Sequence, residues 1–363
     1  MNDSTTAHAA PLGKALVTGA TGMLGSHIAE QLRERGVEVL ALCRPGSDTS
    51  FLRGIGVRLV HGDLSDPALL RAACAGADTI YHSAAQVGDW GKWSDFVRST
   101  IHGTRNMLDA AAAVGVRRFL YISSISAYGH INQQGVVLDE EAPLGERFNR
   151  WSYYSRAKRE AERLVWAAHE KGAVSVTVIR PSWLYGSRDR ASLPRMVDSI
   201  RRGKLKLVSG GRNRLNVTNA ANVAEAAILA AGSARAIGEA YNACHDGHLT
   251  QREYFNQIAR AIGEPELTRS VPYFLAYNFA FLLEIVGHLL RRKSPPLVTR
   301  YAVWLLGRRC FFECEKIKRH LGWKSTIQYE EGIRAAALEV AGEVESPTPA
   351  EAPARVPEMK PGI

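Results

Sequence analysis

Cysteine is scarce in this sequence, and the five cysteines form no recognisable pattern. They are Cys43, Cys74, Cys244, Cys310 and Cys314. An odd, scattered set does not predict a disulfide framework, so we expect reduced thiols. Cys310, Cys314 and His320 lie near one another in sequence, but no second group of ligands accompanies them. We therefore expect no metal site.

The sequence also lacks a long uninterrupted apolar run. Its start, MNDSTTAHAAPLGKALV, has neither a basic segment nor an apolar segment, so we expect no secretory signal. Residues 273–290 are apolar nearly all round, but Asn278, Glu284 and His288 interrupt them. They fall short of the ~20 mostly uncharged residues that a membrane span needs. We expect a cytoplasmic protein and leave membrane association open.

Acidic residues are fewer than basic ones, and the net charge is +10. Such a balance suits nucleic acid, anionic lipid or a phosphate-bearing ligand. The basic residues match no known nucleic-acid-binding motif, so we expect no nucleic-acid partner.

Short apolar runs alternate with helical patterns in the N-terminal half. The predicted strands are KALVTGA, VEVLALCR, VRLVHGDL, DTIYHSAA, RRFLYISS and VSVTVIRP. The predicted helices are Met23 to Arg35, Pro67 to Ala75, Thr100 to Ala113 and Tyr154 to His169. This alternation predicts an α/β fold: a Rossmann-type, doubly wound parallel sheet covered on both faces.

A glycine-rich turn, TGATGMLG, joins the first predicted strand to the first predicted helix. Gly19 permits a tight turn, Gly22 lets the backbone approach a pyrophosphate, and Gly25 lets helix and strand pack closely. The start of the helix offers N–H groups and partial positive charge to phosphates. The flanking strand and helix favour dinucleotide binding over a turn that only packs.

Arg44 ends the second predicted strand, where an acidic residue would bind the ribose 2′-hydroxyl of NAD. Arginine suits a 2′-phosphate, so we expect NADP, with NAD as the alternative. Arg44 could instead stack on adenine or face water. Asp63 ends the third strand, where it accepts from the adenine amino group or caps the next helix.

Tyr154 and Lys158 are one helical turn apart and share a face. A buried ammonium beside a phenol lowers the pKa of the phenol, which makes tyrosine a usable acid or base. Tyr153 has no such lysine, so we expect it to pack. Ser123 and Ser124 end the fifth predicted strand, at the edge where parallel sheets bind ligands.

These residues resemble the extended short-chain dehydrogenase/reductase superfamily, over about residues 13–335. The matching pieces are TGATGMLG, GDL, HSAA, HGTRNML, YISSISAYG, YYSRAK and RPSWLYG. The resemblance implies that Ser124 is the catalytic serine, Tyr154 the general acid/base and Lys158 its helper. Tyr154 and Lys158 also contact the cofactor, and further implied contacts are Thr21, Met23, Leu24, Leu64, Ser83, Ala84, Ala85, Pro181 and Ser182. Relatives often have asparagine at Thr100, so no role is assigned there.

Within the NAD-dependent epimerase/dehydratase type, HSAAQVGDWG and the apolar block before PPLVTRYAVWLLGRR are similar to the 3β-hydroxysteroid dehydrogenase branch. The branch implies interconversion of a secondary alcohol and a ketone on a hydrophobic substrate, sterol-like or a long-chain 3-oxo lipid. Ile125 and Ser126 replace the Asp-Glu pair of sugar-nucleotide dehydratases, which disfavours dehydration. A nucleotide-sugar epimerase and a non-catalytic NADP-sensing protein remain alternatives.

The apolar block also bears on partners. The basic residues Arg291, Arg292 and Lys293 follow it, a combination typical of helices that lie in a membrane interface. Two helices that close over an apolar pocket, or a plain core helix, fit the same pattern. We expect a small hydrophobic substrate, and we leave a peripheral membrane contact through 273–309 and a homodimer open.

The patterns also predict domain boundaries. Residues 1–12 form a disordered tail, and 13–185 the NAD(P)-binding domain, to which elements from about 215–245 return. Residues 186–341 form a smaller, mostly helical substrate-binding region that includes apolar helices within 273–307. Residues 342–363, rich in Pro, Glu and Ala, form a second disordered tail.

Overall fold

The computed structural model describes residues 13–131, 133–245 and 247–342. The two predicted tails lie outside these residues, apart from Gly342 at the end of the last helix. The strands are β1 Lys14–Thr18, β2 Glu38–Cys43, β3 Arg58–His61, β4 Thr79–His82, β5 Arg118–Ile122, β6 Val136–Leu138, β7 Val176–Pro181, β8 Trp183–Tyr185, β9 Leu207–Val208, β10 Val217–Asn219, β11 Glu239–Ala243, β12 Ser270–Val271 and β13 Cys310–Phe312.

The helices alternate with the strands along most of the chain. They are α1 Met23–Glu34, α2 Ser50–Gly54, α3 Pro67–Cys74, α4 Trp93–Phe96, α5 Gly103–Ala113, α6 Tyr153–Glu170, α7 Leu193–Arg201, α8 Ala220–Gly232, α9 Gln251–Ala261, α10 Tyr273–Leu289, α11 Arg300–Gly307, α12 Glu315–Leu321 and α13 Tyr329–Ala341.

A seven-stranded parallel sheet forms the centre, in the order β11-β7-β5-β4-β1-β2-β3. The inner strands are largely apolar, and they are buried apart from their first residues Lys14 and Arg118, as expected when helices cover both faces. The order reverses between β1 and β4, so the crossovers on either side of this point leave in opposite directions. A crevice therefore opens at the carboxyl ends of these strands. The predicted fold class is confirmed.

Helices α1, α2, α8 and α12 supply side chains to the core on one face of the sheet, and α3, α5 and α6 to the core on the other. A third cluster joins α7, α9 and α13 in the C-terminal region.

The predicted helix from Thr100 to Ala113 starts earlier in the structure. After α4, the chain passes through a π-helical segment, Val97–His102, directly into α5. Such wide turns occur often at functional sites. Here the turn places the Thr100 hydroxyl where it accepts from the Gln86 N–H at 3.0 Å, so Thr100 fixes the loop after β4.

Three short parallel strand pairs connect distant parts of the chain: β6 with β13, β8 with β10, and β9 with β12. The sequence patterns did not predict β6 or β13, because each has only three residues and gains its hydrogen bonds from a remote partner.

The predicted apolar block forms α10 and α11, which contact each other. The Arg300 guanidinium on α11 donates to Glu284 on α10 at 2.7 Å, and both side chains are mostly buried. Within the part of the chain that the structure describes, no helix combines the length and the apolar character that crossing a membrane requires.

All five cysteines are buried. Over the described ranges, no three potential metal-ligating side chains come together.

Candidate active site

A cavity of about 1430 Å³ opens at the carboxyl ends of β1 to β5 and β7. Small-molecule sites usually occupy ~300–1,000 Å³, so this cavity has room for a dinucleotide and a second ligand. Every residue predicted for the site lines it: Gly19, Thr21, Gly22, Met23, Leu24, Gly25, Arg44, Asp63, Leu64, Ser83, Ala84, Ala85, Ser124, Tyr154, Lys158, Pro181 and Ser182. The structure thus brings the predicted residues together, while their individual roles remain predictions.

The glycine turn fits a dinucleotide. Gly19 has a φ of +70°, and a Cβ there would lie 2.8 Å from the Ala84 nitrogen. A Cβ at Gly25 would lie 2.2 Å from the Gly19 carbonyl oxygen, so helix and strand meet without room for a side chain. Gly22 begins α1 without a side-chain cap, and no acidic residue occupies the first turn. The helix therefore presents N–H groups and partial positive charge to the cavity, as phosphate binding requires.

Arg44 and Asp63 lie together at the part of the cavity formed by the ends of β2 and β3. The Asp63 carboxylate accepts from the Ser65 N–H at 2.9 Å. Its hydrogen bonds to Ser65 and the positive charge of Arg44 lower its pKa. The cap of α3 is Asp66, whose carboxylate accepts from the first-turn N–H groups, so the alternative helix-capping role for Asp63 is wrong.

The three predicted catalytic side chains converge from β5 and α6. Ser124 follows β5, and its hydroxyl accepts from the Ser126 N–H at 3.1 Å. The side chain of Tyr154 lies close enough to Ser124 for the serine to influence the pKa of the phenol. Lys158 is buried, and its ammonium donates to the Ile122 carbonyl at 2.7 Å. Tyr153 turns away and packs against the rings of Trp93 and Phe96.

The electrostatics of this group differ from the expectation. Burial raises the pKa of Tyr154, and the proximity of Ser124 lowers it in part. Burial also lowers the pKa of Lys158 to about 7, which the negative charge of Glu162 partly offsets. The expected lowering of the phenol pKa is therefore wrong for this state of the site. Near neutral pH Lys158 is only partly protonated, so its charge lowers the pKa of the Tyr154 phenol less than we had expected.

Glu162 lies one turn beyond Lys158 on the same face of α6. Its carboxylate is fully buried and accepts from the Ser123 hydroxyl at 2.5 Å and from Arg180 at 2.6 Å. Arg180 also donates to the Tyr128 hydroxyl at 2.7 Å. These hydrogen bonds compensate for the free-energy cost of burying the charged Glu162 carboxylate. The residue was missed, although its spacing from Lys158 was a usable signal.

Two further residues of the cavity were missed because nothing in the sequence connects them to it. Tyr301 enters from α11 and lies close enough to Tyr154 for their charges to interact. Arg98 enters from the π-helical segment and, with Arg44, favours the ionised form of Asp63.

The remaining wall of the cavity is largely apolar. It includes Trp183, Met196, Leu207, Phe255, Leu275, Phe279 and Leu306. Apart from Trp183 on β8, these side chains come from the C-terminal region, including α10 and α11. The arrangement places Ser124, Tyr154 and Lys158 beside a surface that suits a hydrophobic ligand.

Residues 15–244 match the NAD dependent epimerase/dehydratase family. The chain belongs to this family. The match includes the glycine turn, Ser124, Tyr154 and Lys158, and members of the family are NAD(P)-dependent enzymes.

Two curated relatives span nearly the same length as the chain. The 2-alkyl-3-oxoalkanoate reductase of Stenotrophomonas maltophilia is 33% identical over 88% of this chain and 97% of that protein. The mouse sterol-4-alpha-carboxylate 3-dehydrogenase, decarboxylating, is 28% identical over 88% of this chain and 89% of that protein. These similarities support the predicted 3β-hydroxysteroid dehydrogenase-like branch. The chain is an NAD(P)-dependent oxidoreductase, which disfavours the cofactor-sensing alternative.

Among solved structures, the UDP-glucuronic acid 4-epimerase of Bacillus cereus, crystallised with NAD, has a TM-score of 0.69. It is 18% identical and covers 91% of this chain and 99% of that chain. This likeness confirms the fold.

Proposed function

We propose that the protein interconverts a secondary alcohol and a ketone on a hydrophobic 3-hydroxy or 3-oxo substrate, with NADP as the preferred cofactor. One observation carries the proposal: Ser124, Tyr154 and Lys158 line the same cavity as an apolar wall from the C-terminal region. The named activities of the two relatives, on a 2-alkyl-3-oxoalkanoate and on a sterol carboxylate, support this substrate class.

The glycine turn and the start of α1 would hold the phosphates of NAD(P), and Lys158 would donate to the ribose. Bound NAD(P) supplies the oxidation and reduction chemistry. The side chain of Ser124 donates a hydrogen bond to the substrate oxygen and orients it. The Tyr154 hydroxyl exchanges the proton with that oxygen.

The raised pKa of Tyr154 is compatible with reduction at neutral pH. A tyrosine whose pKa is raised stays protonated, so it can act as the acid that a ketone oxygen requires. Oxidation of an alcohol would need the phenolate instead. The sequence alone did not distinguish the two directions.

The preference for NADP rests on two guanidinium groups. Arg44 and Arg98 both line the cavity near Asp63, and both reach it from exposed positions. Paired donors of this kind suit a 2′-phosphate, whereas an acidic residue would suit the free hydroxyl of NAD.

The proposal is tested by a cofactor-coupled screen of sterols, long-chain 3-oxo compounds and UDP-sugars with purified wild type, Tyr154→Phe and Tyr153→Phe. We expect turnover of a hydrophobic 3-oxo compound with NADPH. Tyr154→Phe should lose ~10²-fold or more in kcat, the scale of general acid/base catalysis. Tyr153→Phe is the matched control and should retain activity, because Tyr153 packs outside the catalytic group. Wild-type turnover in Tyr154→Phe would rule out the assignment.

A nucleotide-sugar epimerase is the second candidate, because Arg195, Lys204 and Lys206 also line the cavity. These basic side chains could bind the diphosphate of a nucleotide sugar. Such an enzyme would keep NAD bound through its cycle and convert UDP-sugars in the same screen. UDP-sugar turnover without net change in NAD(P)H would replace the first proposal.

A further inference from the structure

The outer face of α10 is apolar and exposed. Its large side chains include Phe274, Leu275, Phe279, Leu282, Val286 and Leu289, and they are between 41% and 77% exposed. At 100° per residue these positions fall within one half of the helix circumference. The one polar side chain in this arc, Asn278, donates to the Phe274 carbonyl of its own helix at 2.8 Å. We call this surface the α10 outer face.

The opposite face holds α10 firmly in place. Glu284 pairs with Arg300, and the ring of His288 lies between Trp90 and Trp151, with ring centroids 4.4 and 4.3 Å away. Gly287 lies against Trp90 so closely that a Cβ would come within 2.8 Å of the indole. These contacts fix the orientation of α10, so its outer face is directed away from the rest of the protein. Contiguous apolar surface of this kind marks an interaction site.

The outer face is continuous with the cavity. Leu275 and Phe279 are half exposed on the helix surface and also line the cavity, as does Leu297, which is 78% exposed. An apolar molecule that lies against α10 can therefore reach the cavity along apolar side chains.

Basic residues follow the outer face directly. Arg291, Arg292 and Lys293 are exposed immediately after α10. The Trp90 indole donates to the Arg292 carbonyl at 3.0 Å, which fixes the backbone there. An apolar helix face beside fixed cations is complementary to an anionic bilayer surface, where acyl chains and negative headgroups meet. The 17-residue helix is suited to lie in that surface and not to cross it.

We propose that the α10 outer face docks on a lipid bilayer that contains anionic lipid, and that the hydrophobic substrate enters the cavity directly from this bilayer. The inference of docking depends only on the exposed side chains of this surface, whereas the inference of substrate entry also rests on the proposed function.

Docking is tested by flotation with vesicles of phosphatidylcholine alone and of phosphatidylcholine mixed equally with phosphatidylglycerol. Wild type should float with the mixed vesicles, weakly with the neutral ones, and less as salt is raised. The double variant Leu282→Glu/Leu289→Glu should lose at least tenfold in bound fraction at limiting lipid, because it places two charges at the bilayer. Its matched control is Val137→Glu, since Val137 is equally exposed but lies on β6 and is not part of the α10 outer face. Charge reversal at Arg291, Arg292 and Lys293 should abolish the difference in bound fraction between the mixed and the neutral vesicles.

Substrate entry is tested with two reductase substrates: a long-chain 3-oxo ester in mixed vesicles and water-soluble ethyl 3-oxobutanoate. The double variant should lose activity only on the vesicle-borne ester, because neither changed residue lines the cavity. Equal loss on both substrates would contradict entry from the bilayer. Absence of activity in wild type on both would refute the proposed function and leave the flotation result standing.

Two results would overturn the proposal that the α10 outer face docks on a bilayer. One is failure of wild type to bind mixed vesicles at low salt. The other is wild-type self-association that Leu282→Glu/Leu289→Glu abolishes, without vesicle binding, which would identify a second copy of the chain as the occupant.

Discussion

Glu162 acts on Lys158, the residue that we expect to assist Tyr154. It lies one turn beyond the lysine on the same face of α6, and its charge raises a lysine pKa that burial otherwise lowers to about 7. The carboxylate is shared with Arg180 and Ser123. The protonation state of the lysine near neutral pH therefore depends on a side chain that does not itself line the cavity.

Glu162→Gln should move the alkaline limb of the kcat profile to lower pH. Removal of the carboxylate leaves burial unopposed, so Lys158 loses its proton at lower pH, and activity that needs the ammonium falls earlier. The profile is measured between pH 6 and 9, at a temperature where the variant is folded, because an unpaired Arg180 costs ~3–5 kcal/mol. Glu160→Gln is the control, since Glu160 is partly exposed and pairs with Arg159. An unshifted limb in folded Glu162→Gln would show that Glu162 has only a structural role.

Arg44→Asp should reverse the cofactor preference. The change removes a donor to the 2′-phosphate and adds a repulsive charge, so the ratio of kcat/KM for NADPH to that for NADH should fall about tenfold or more. Steady-state kinetics with both cofactors measure the ratio. Arg105→Asp, at an exposed position on α5 away from the cavity, should leave it unchanged. If the ratio is unaltered in Arg44→Asp, Arg44 does not bind the 2′-phosphate, and the contact is made by Arg98 or by neither arginine.

The shared face of Tyr154 and Lys158 was predicted from the helix period, and the position of the serines at the cavity from the strand end, whereas the choice of Ser124 came from the family resemblance; all three line the cavity. Glu162 could have been identified in the same way, from its position one turn beyond Lys158. Tyr301 and Arg98 could not, because they reach the cavity only through the packing of α11 and the π-helical segment against distant elements.

At the level of elements, the glycine turn has two separable functions. Gly25 permits contact between α1 and the end of β1, since a Cβ there would overlap backbone atoms at 2.2 and 2.6 Å. Gly22 has more space, with its nearest contact at 3.2 Å, and lies at the start of α1, where we expect the phosphates of NAD(P) to bind.

Gly25→Ala should lower both the melting temperature and the affinity for NADPH, because the strand–helix contact must open. We expect a loss of ~1–3 kcal/mol in stability, the usual cost of overpacking. Gly22→Ala should weaken NADPH binding and leave the melting temperature nearly unchanged. Thermal unfolding and fluorescence titration with NADPH measure the two quantities. Equal losses of stability in both variants would show that the two glycines do not differ in function.

The six predicted strands and the main helices were recoverable because their apolar runs are long enough to show a period. The short pair of β6 and β13 was not, since pairing between residues so far apart leaves no local pattern. The π-helical segment was missed for a related reason: its sequence, VRSTIH, is compatible with an ordinary helix, and the contact of Thr100 with the loop after β4 leaves no local pattern.

Considered as a whole, the molecule is a parallel sheet whose centre contains a buried polar cluster. His82 ends β4, and its ring is hydrogen-bonded to Thr18 on β1 at 2.8 Å and to Thr104 on α5 at 3.1 Å. Burial lowers the pKa of His82 to about 3, and the nearby charge of Lys158 acts in the same direction. The histidine is therefore neutral in the folded protein at any pH where the enzyme would operate.

Acid should destabilise the protein through His82. The folded pKa lies below the unfolded value of ~6.5, so the unfolded chain binds the extra proton first, and stability falls as pH decreases from about 6.5 towards 3. Between pH 8 and 5 this single group should account for about 2 kcal/mol of lost unfolding free energy. Denaturant unfolding at both pH values measures the difference. His82→Gln should be less stable than wild type at pH 8, because two hydrogen bonds change. Its unfolding free energy should nevertheless fall by about 2 kcal/mol less than that of wild type between pH 8 and pH 5. His61→Gln, at an exposed histidine, should keep the wild-type dependence. If His82→Gln and wild type lose the same free energy between pH 8 and 5, the buried cluster does not control the acid sensitivity of the fold.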